Sequence, residues 1–233
     1  HAGAAGALAR QGAEVWVHPV GAPHMTKPEK LIASASRIYG DRMESLWGEF
    51  LPVPTDRLNV AKDAEPIRIG GMEFIPLNTL GHAEHHYSYL FEDIIFSGDV
   101  GGVRIPGYPY LRVPMPPPEL HIERWKESLS KLRALKPARL APTHFGIYDD
   151  VDWQLNEVEK RLESAARWLE EVMKNEPSVD ELRESFTRWI LDEGKSVGLS
   201  EEVVKVYELA NPLGMSADGL LMYRKKVRSG RQS

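Results

Sequence analysis

The chain has no cysteine among its 233 residues. That excludes disulfides, thiolate metal sites and a cysteine nucleophile. A disulfide-free chain suits the cytosol without requiring it. There is no apolar run near the roughly 20 residues that span a bilayer, and no signal-peptide pattern. Positive charge is not in excess: 29 Lys and Arg against 34 Asp and Glu give a formal net charge of −5. Nucleic acid and anionic membrane are therefore disfavoured as partners. The expectation that remains is a soluble cytoplasmic protein, long enough to bury a sizeable core. No internal repeat is visible. The first residue is His1 rather than Met, and the small-residue helix over 2–10 begins with no cap and no strand before it. We expect a chain that starts inside a longer protein.

Hydrophobic periodicity divides the chain at about Asp150. Before it, residues 14–18 read as a β-branched strand closed by Pro19. Thr26 and Glu29 read as the two halves of a capping box opening a helix that stops at Gly40. Ile67–Ile69 and 73–77, separated by Gly70-Gly71, read as a hairpin, and Tyr87–Phe91 with 94–97 as a second. Residues 101–118 are proline-rich and aperiodic, which predicts a long irregular loop. Trp125, Leu129 and Leu132 mark a helix face, and Arg139–Pro142 a short buried strand. After Asp150, Leu155, Val158, Leu162, Leu169 and Val172 keep a helical period. Ser178 with Glu181 forms a second capping box, Ser200 caps a further helix, and Asn211-Pro212 breaks it. A last helix is expected over 217–226. The domain expectation is a core of mixed strands and helices over 1–150, a helical extension over 151–227 and a disordered tail over 228–233.

Three strings carry chemistry: Gly81-His82, Ser97-Gly98-Asp99 and Thr143-His144. Each puts a metal-binding side chain beside a small or turn residue at the end of an apolar run, where a sheet would hold it still. Together with His1 they offer three imidazoles and one carboxylate, donors that suit zinc and its neighbours. A carboxylate can bridge two cations through its two oxygens, which a neutral imidazole cannot do. His85 and His86 would point to opposite faces of a strand approach, so at most one of them faces the site. His18, His24 and His121 read as structural or exposed. Arg104, Tyr108, Tyr110 and Arg112 on the proline-rich loop could clamp a substrate or pack the loop on the body. Both readings stand at this point.

His1-Ala2-Gly3, Leu80-Gly81-His82-Ala83, Ser97-Gly98-Asp99 and Pro142-Thr143-His144 resemble, in order and spacing, the successive motifs of the metallo-β-lactamase superfamily. The resemblance covers about residues 1–150. His1 matches only the last histidine of the family's H-x-H-x-D-H motif, so the rest of that motif and the strands before it would precede this chain. The resemblance implies an α/β fold: an αβ/βα sandwich, N-terminally incomplete, with a C-terminal helical extension. It implies His82 as a ligand of a first metal, Asp99 as the bridging carboxylate, and His1 and His144 as ligands of a second. Two zinc ions are the implied cofactors of the intact protein, with iron or manganese as other metals. The implied activity is hydrolysis of an ester-like bond, a thioester or lactone, by a metal-bound hydroxide. The helical extension is similar in architecture to that of glyoxalase II, and an apolar extension of this kind suits a homodimer contact. Two further readings are an iron-dependent oxidoreductase on the same scaffold and a non-catalytic fragment that needs an N-terminal partner piece.

Overall fold

The computed structural model describes residues 3–44 and 48–230, with the side chains at 34, 37–39 and 42 left aside. The chain forms two compact units, residues 1–67 and 68–233. The first contains α1 (Ala5–Arg10), β1 (Val15–Val17), α2 (Ala22–Thr26), α3 (Glu29–Tyr39) and β2 (Leu58–Val60). β1 and β2 pair in parallel, Val15 with Leu58 and Val17 with Val60. Ala9, Met25 and Val53 form a small apolar cluster beneath them. The expected capping box at Thr26 does not form. Thr26 ends α2 and bonds back to the Pro23 carbonyl, and Pro28 stands at the start of α3 instead. Proline suits a helix's first turn, where an N–H would have no partner anyway.

The second unit is built on a five-stranded sheet in the order β3 (Ile67–Ile69), β4 (Met72–Asn78), β5 (Tyr87–Phe91), β6 (Ile94–Gly98), β9 (Arg139–Pro142). β4, β5 and β6 run antiparallel in turn, and β9 joins β6 in parallel. Both expected hairpins are present. Gly70 and Gly71 both take positive φ, as a two-residue turn matching strand twist requires. Because β5 reverses the chain between them, β4 and β6 point the same way, and β9 points with them. Three strand C-termini therefore open on one edge of the sheet. The proline-rich loop is not wholly irregular: β7 (Val103–Arg104) and β8 (Leu111–Arg112) pair as a small antiparallel ribbon within it.

The helices α4 (Ile122–Ala134), α5 (Val151–Val172), α6 (Val179–Ser196), α7 (Glu201–Ala210) and α8 (Leu213–Gly230) complete this unit. Sheet residues Leu77, Ile95 and Leu140 share one apolar cluster with Trp125 and Leu129 of α4. The same cluster takes in Leu155, Val158 and Leu162 of α5, Phe186 of α6, and Ala217 and Leu220 of α8. Helices α5, α6 and α8 thus share the core of the sheet, whereas α7 packs through Tyr207 on Val103 and Tyr110, and the compact units divide at Ile67/Arg68. The Ser178–Glu181 capping box is formed, and the Ser200 hydroxyl accepts from the Val203 N–H. The last helix is longer than expected and continues through Gly230, so residues 228–230 are helical. Among the described residues no helix is long and apolar enough to cross a membrane.

Candidate metal centre

His82, Asp99 and His144 leave the sheet at the ends of β4, β6 and β9. Asp99 follows Gly98, whose φ of 57° is in the left-handed region, and opens a single 3-10 turn, Asp99–Gly101. Gly98 is paired with Pro142, so the two chains emerge side by side. The Thr143 N–H donates to the Gly98 carbonyl at 3.4 Å. His82 sits in the turn after β4, behind Gly81 with φ 125°. A Cβ on Gly81 would lie 2.4 Å from the Cα and N of Trp125, so only glycine lets this turn approach α4. The His121 N–H and the Ser128 hydroxyl, which flank that contact on α4, donate to the Gly81 and Leu80 carbonyls at 2.9 and 2.7 Å.

These anchors bring the three side chains together. His82 Nε2 is 3.3 Å from Asp99 Oδ2, and His144 Nε2 is 3.8 Å from Asp99 Oδ1. Asp99 is buried, while His82 and His144 are partly exposed. Each imidazole faces a different oxygen of one carboxylate. The His1 expectation lies outside the described residues.

Hydrogen positions decide what the His82–Asp99 pair can hold. His82 Nδ1 lies 3.0 Å from the Pro114 carbonyl oxygen. That oxygen can only accept, so Nδ1 carries the hydrogen. In the neutral ring Nε2 is then a lone pair, and it faces a carboxylate oxygen. Two acceptors at 3.3 Å are held together by a cation between them, either a proton or a metal ion. Zinc bonds of about 2.0–2.1 Å at tetrahedral angles place neighbouring donors about 3.3 Å apart. Donor chemistry and spacing therefore fit a divalent ion. Their number is partial: among the described residues, no three His, Cys, Asp or Glu side chains gather about one point. Each oxygen of Asp99, with its imidazole, would give an ion two donors, where zinc sites use at least three protein ligands.

Of His85 and His86, it is His86 that lies beside His82. Its ring meets that of His82 edge-on, centroids 5.8 Å apart, while half-exposed His85 points away to Glu119. The Ser88 hydroxyl donates to the Ser97 carbonyl, so Thr79 Oγ1 donates to Ser88 Oγ, and His86 Nδ1 must donate to Thr79. Burial, with the nearby His82 imidazole, lowers the His86 pKa to about 3. His86 is a neutral imidazole at physiological pH, with its tautomer fixed by a hydroxyl relay.

The loop residues Arg104, Tyr110 and Arg112 are engaged in packing. Arg104 forms a two-pronged pair with Asp150 at 2.6 and 2.9 Å and lies over the Tyr148 and Trp153 rings. Tyr110 is buried against Tyr207, and Arg112 bonds Glu208. Tyr108 packs on the same cluster. Of the remaining histidines, His18 is buried with its Nδ1 accepting from the Val20 N–H, His24 is exposed, and His121 caps α4. Pattern reading missed two groups that touch His82: the Pro114 carbonyl and the Trp125 ring, 5.6 Å away edge-on. A backbone acceptor leaves no mark in side-chain spacing, and Trp125 had shown only as a core residue.

Residues 1–144 match the family described as the metallo-beta-lactamase superfamily, a span opening on His1 and closing on His144. The metallo-beta-lactamase fold-containing protein ST1585 of Sulfurisphaera tokodaii is 30% identical over 119 residues, 51% of this chain and 44% of that protein. The chain thus spans less than half the length of this curated relative. The crystal structure of ST1585 superposes with a TM-score of 0.53 at 26% identity, covering 66% of this chain and 58% of that one. The metallo-beta-lactamase family protein TTHA1429 from Thermus thermophilus gives 0.57 at 20% identity, covering 72% and 59%. The second likeness is one of fold alone.

Proposed function

Since the chain belongs to the metallo-beta-lactamase superfamily, whose members are in general metal-dependent hydrolases, we propose that it hydrolyses an ester-like bond, a thioester or lactone. The observation that carries this reading is the pair of imidazoles on opposite oxygens of Asp99 at the open edge of the sheet. His82 and Asp99 Oδ2 would hold one divalent ion, and His144 and Asp99 Oδ1 a second. Zinc is the metal we favour, since imidazole and carboxylate suit it, with iron and manganese as the other choices. Such an ion, when bound, polarises a carbonyl and makes water a far stronger acid.

The chain's own residues support that chemistry by holding the donors. Gly98, in the left-handed region, opens the 3-10 turn on which Asp99 sits, and the Pro114 carbonyl keeps the His82 proton on Nδ1. The partly exposed His144 leaves one side of the centre accessible to a small-molecule substrate. The exposed Val206 and Leu209 of the helical extension suit a homodimer contact.

The test is metal content and turnover on the same preparations. The protein is loaded with zinc, dialysed, analysed for bound metal and assayed on a thioester and lactone panel. We expect bound zinc and hydrolysis, and loss of both in Asp99→Ala. Unchanged metal content in that variant overturns the assignment of Asp99. Bound zinc without turnover on either ester class overturns the substrate class.

A further inference from the structure

The C-terminal helix α8 reaches the metal centre through one strap of chain. Residues 113–116 follow β8 and are largely buried, yet they belong to no sheet. Pro114 in this strap supplies the carbonyl that receives the His82 Nδ1 hydrogen at 3.0 Å. Its ring leaves it no N–H of its own, so its place depends on its neighbours. The next residue, Met115, donates its N–H to Ser216 Oγ of α8 at 3.2 Å, and Asn211 Nδ2 donates to the same oxygen at 3.1 Å. One turn further along α8, a Cβ on Gly219 would stand 1.9 Å from the Met115 carbonyl oxygen and 2.9 Å from the Pro116 carbonyl carbon. Both atoms are backbone and cannot swing aside. Further along the helix, Tyr223 bonds Glu123 of α4, and Lys226 Nζ donates to the Pro118 carbonyl at 2.6 Å. Positions 216, 219, 223 and 226 are spaced three or four apart, so they form one face of a helix. That face lies along the strap and the start of α4.

We propose that Ser216 and Gly219 of α8 are positioning residues for His82: by seating Met115 they place the Pro114 carbonyl, which decides that Nδ1 carries the imidazole hydrogen and Nε2 faces Asp99. The helical extension thereby prepares the donor atom of a ligand that lies more than a hundred positions earlier in the chain. Without a fixed acceptor at Pro114, Asp99 Oδ2 competes for the hydrogen and draws it to Nε2, where it blocks the lone pair a cation needs. The inference about metal binding rests on the reading of His82 as a ligand, whereas the tautomer itself does not.

The experiment compares wild type with Ser216→Ala and Gly219→Ala, each stripped of metal by a chelator and labelled with nitrogen-15. Long-range proton–nitrogen spectra at one pH read the His82 ring nitrogens, and zinc titration against a chromophoric chelator reads affinity. We expect a protonated Nδ1 in wild type and a shift of the hydrogen toward Nε2 in both variants, with zinc affinity lowered about tenfold. An Nδ1 signal unchanged in both variants, while the Met115 amide moves, overturns the proposal even where zinc binds. A hydrogen that shifts in the variants, in a protein whose wild type takes up no zinc, leaves the positioning role standing and overturns the ligand reading instead. Circular dichroism verifies that helix is retained. If Gly219→Ala unfolds, Ser216→Ala, which removes only a hydroxyl, decides the question.

Discussion

At the scale of the residue, the chemistry of the centre rests on where its imidazole hydrogens sit. His82 keeps one on Nδ1 because Pro114 offers only a carbonyl. His86 keeps one on Nδ1 because Thr79, Ser88 and the Ser97 carbonyl form a one-way relay. His86 remains neutral to about pH 3, driven first by burial and then by the neighbouring His82 imidazole. The unfolded chain takes up a proton at this residue near pH 6.5, and the folded chain does not until about pH 3. Unfolding is therefore favoured by acid throughout that window, and the stability tied to neutral His86 is complete above pH 6.5 and declines as pH falls. Between about pH 6.5 and about pH 5 this amounts to about 2 kcal/mol. Urea unfolding at the two pH values is expected to show that loss in wild type and a smaller one in His86→Asn. An equal loss in both proteins removes His86 as the source.

At the scale of the element, close approach between turn and helix matters more than helix propensity. The His82 turn meets α4 at Gly81, where φ is 125° and Trp125 backbone atoms stand 2.4 Å from any added Cβ. Gly81→Ala combines a strained backbone with a clash that cannot relax, and should cost about 2–5 kcal/mol. Gly71→Ala is the control: its φ is 84° but nothing stands near the added carbon, so it should cost about 1–2 kcal/mol from conformation alone. Urea midpoints separate the two, and equal shifts would mean that the contact with α4 contributes nothing. Trp125 also donates Nε1–H to the Val100 carbonyl at 3.0 Å, and Gln154 donates to that of Gly101 at 2.9 Å. The 3-10 turn that begins with Asp99 is thus tied to α4 and to α5.

At the scale of the whole molecule, helices α5, α6 and α8 belong to the second unit's main core. Leu155, Val158 and Leu162 are fully buried in the cluster that also holds Ile95 and Leu140 of the sheet. Removing residues 151–233 would expose that cluster and release the 113–116 strap. The 1–150 chain is expected to lose its cooperative thermal transition and to bind a hydrophobic dye. A cooperatively melting 1–150 chain would show that the sheet and α4 form a sufficient core alone. Within the full chain, Leu155→Ala should cost about 2–5 kcal/mol, since the surroundings cannot close over the lost methyl groups.

Much of this architecture is legible in residue order because its causes are local. Gly70-Gly71 calls for a tight hairpin, Ser178 with Glu181 calls for a helix start, and the leucine spacing of α5 calls for one buried face; all three are present. That His82, Asp99 and His144 each follow an apolar run is legible too, since a strand end is a local feature. Other features depended on long-range contact. Arg104 and Tyr110 could have faced a substrate until Asp150 and Tyr207, distant in sequence, claimed them. Residue order settles which side chains can serve as donors and where most of the strands and helices lie, because covalent neighbours and side-chain period set those. Folding alone brings the Pro114 carbonyl to His82, and Ser216 and Gly219 to Met115. A carbonyl's direction and the closeness of two backbones are properties of packing, and no residue type announces them.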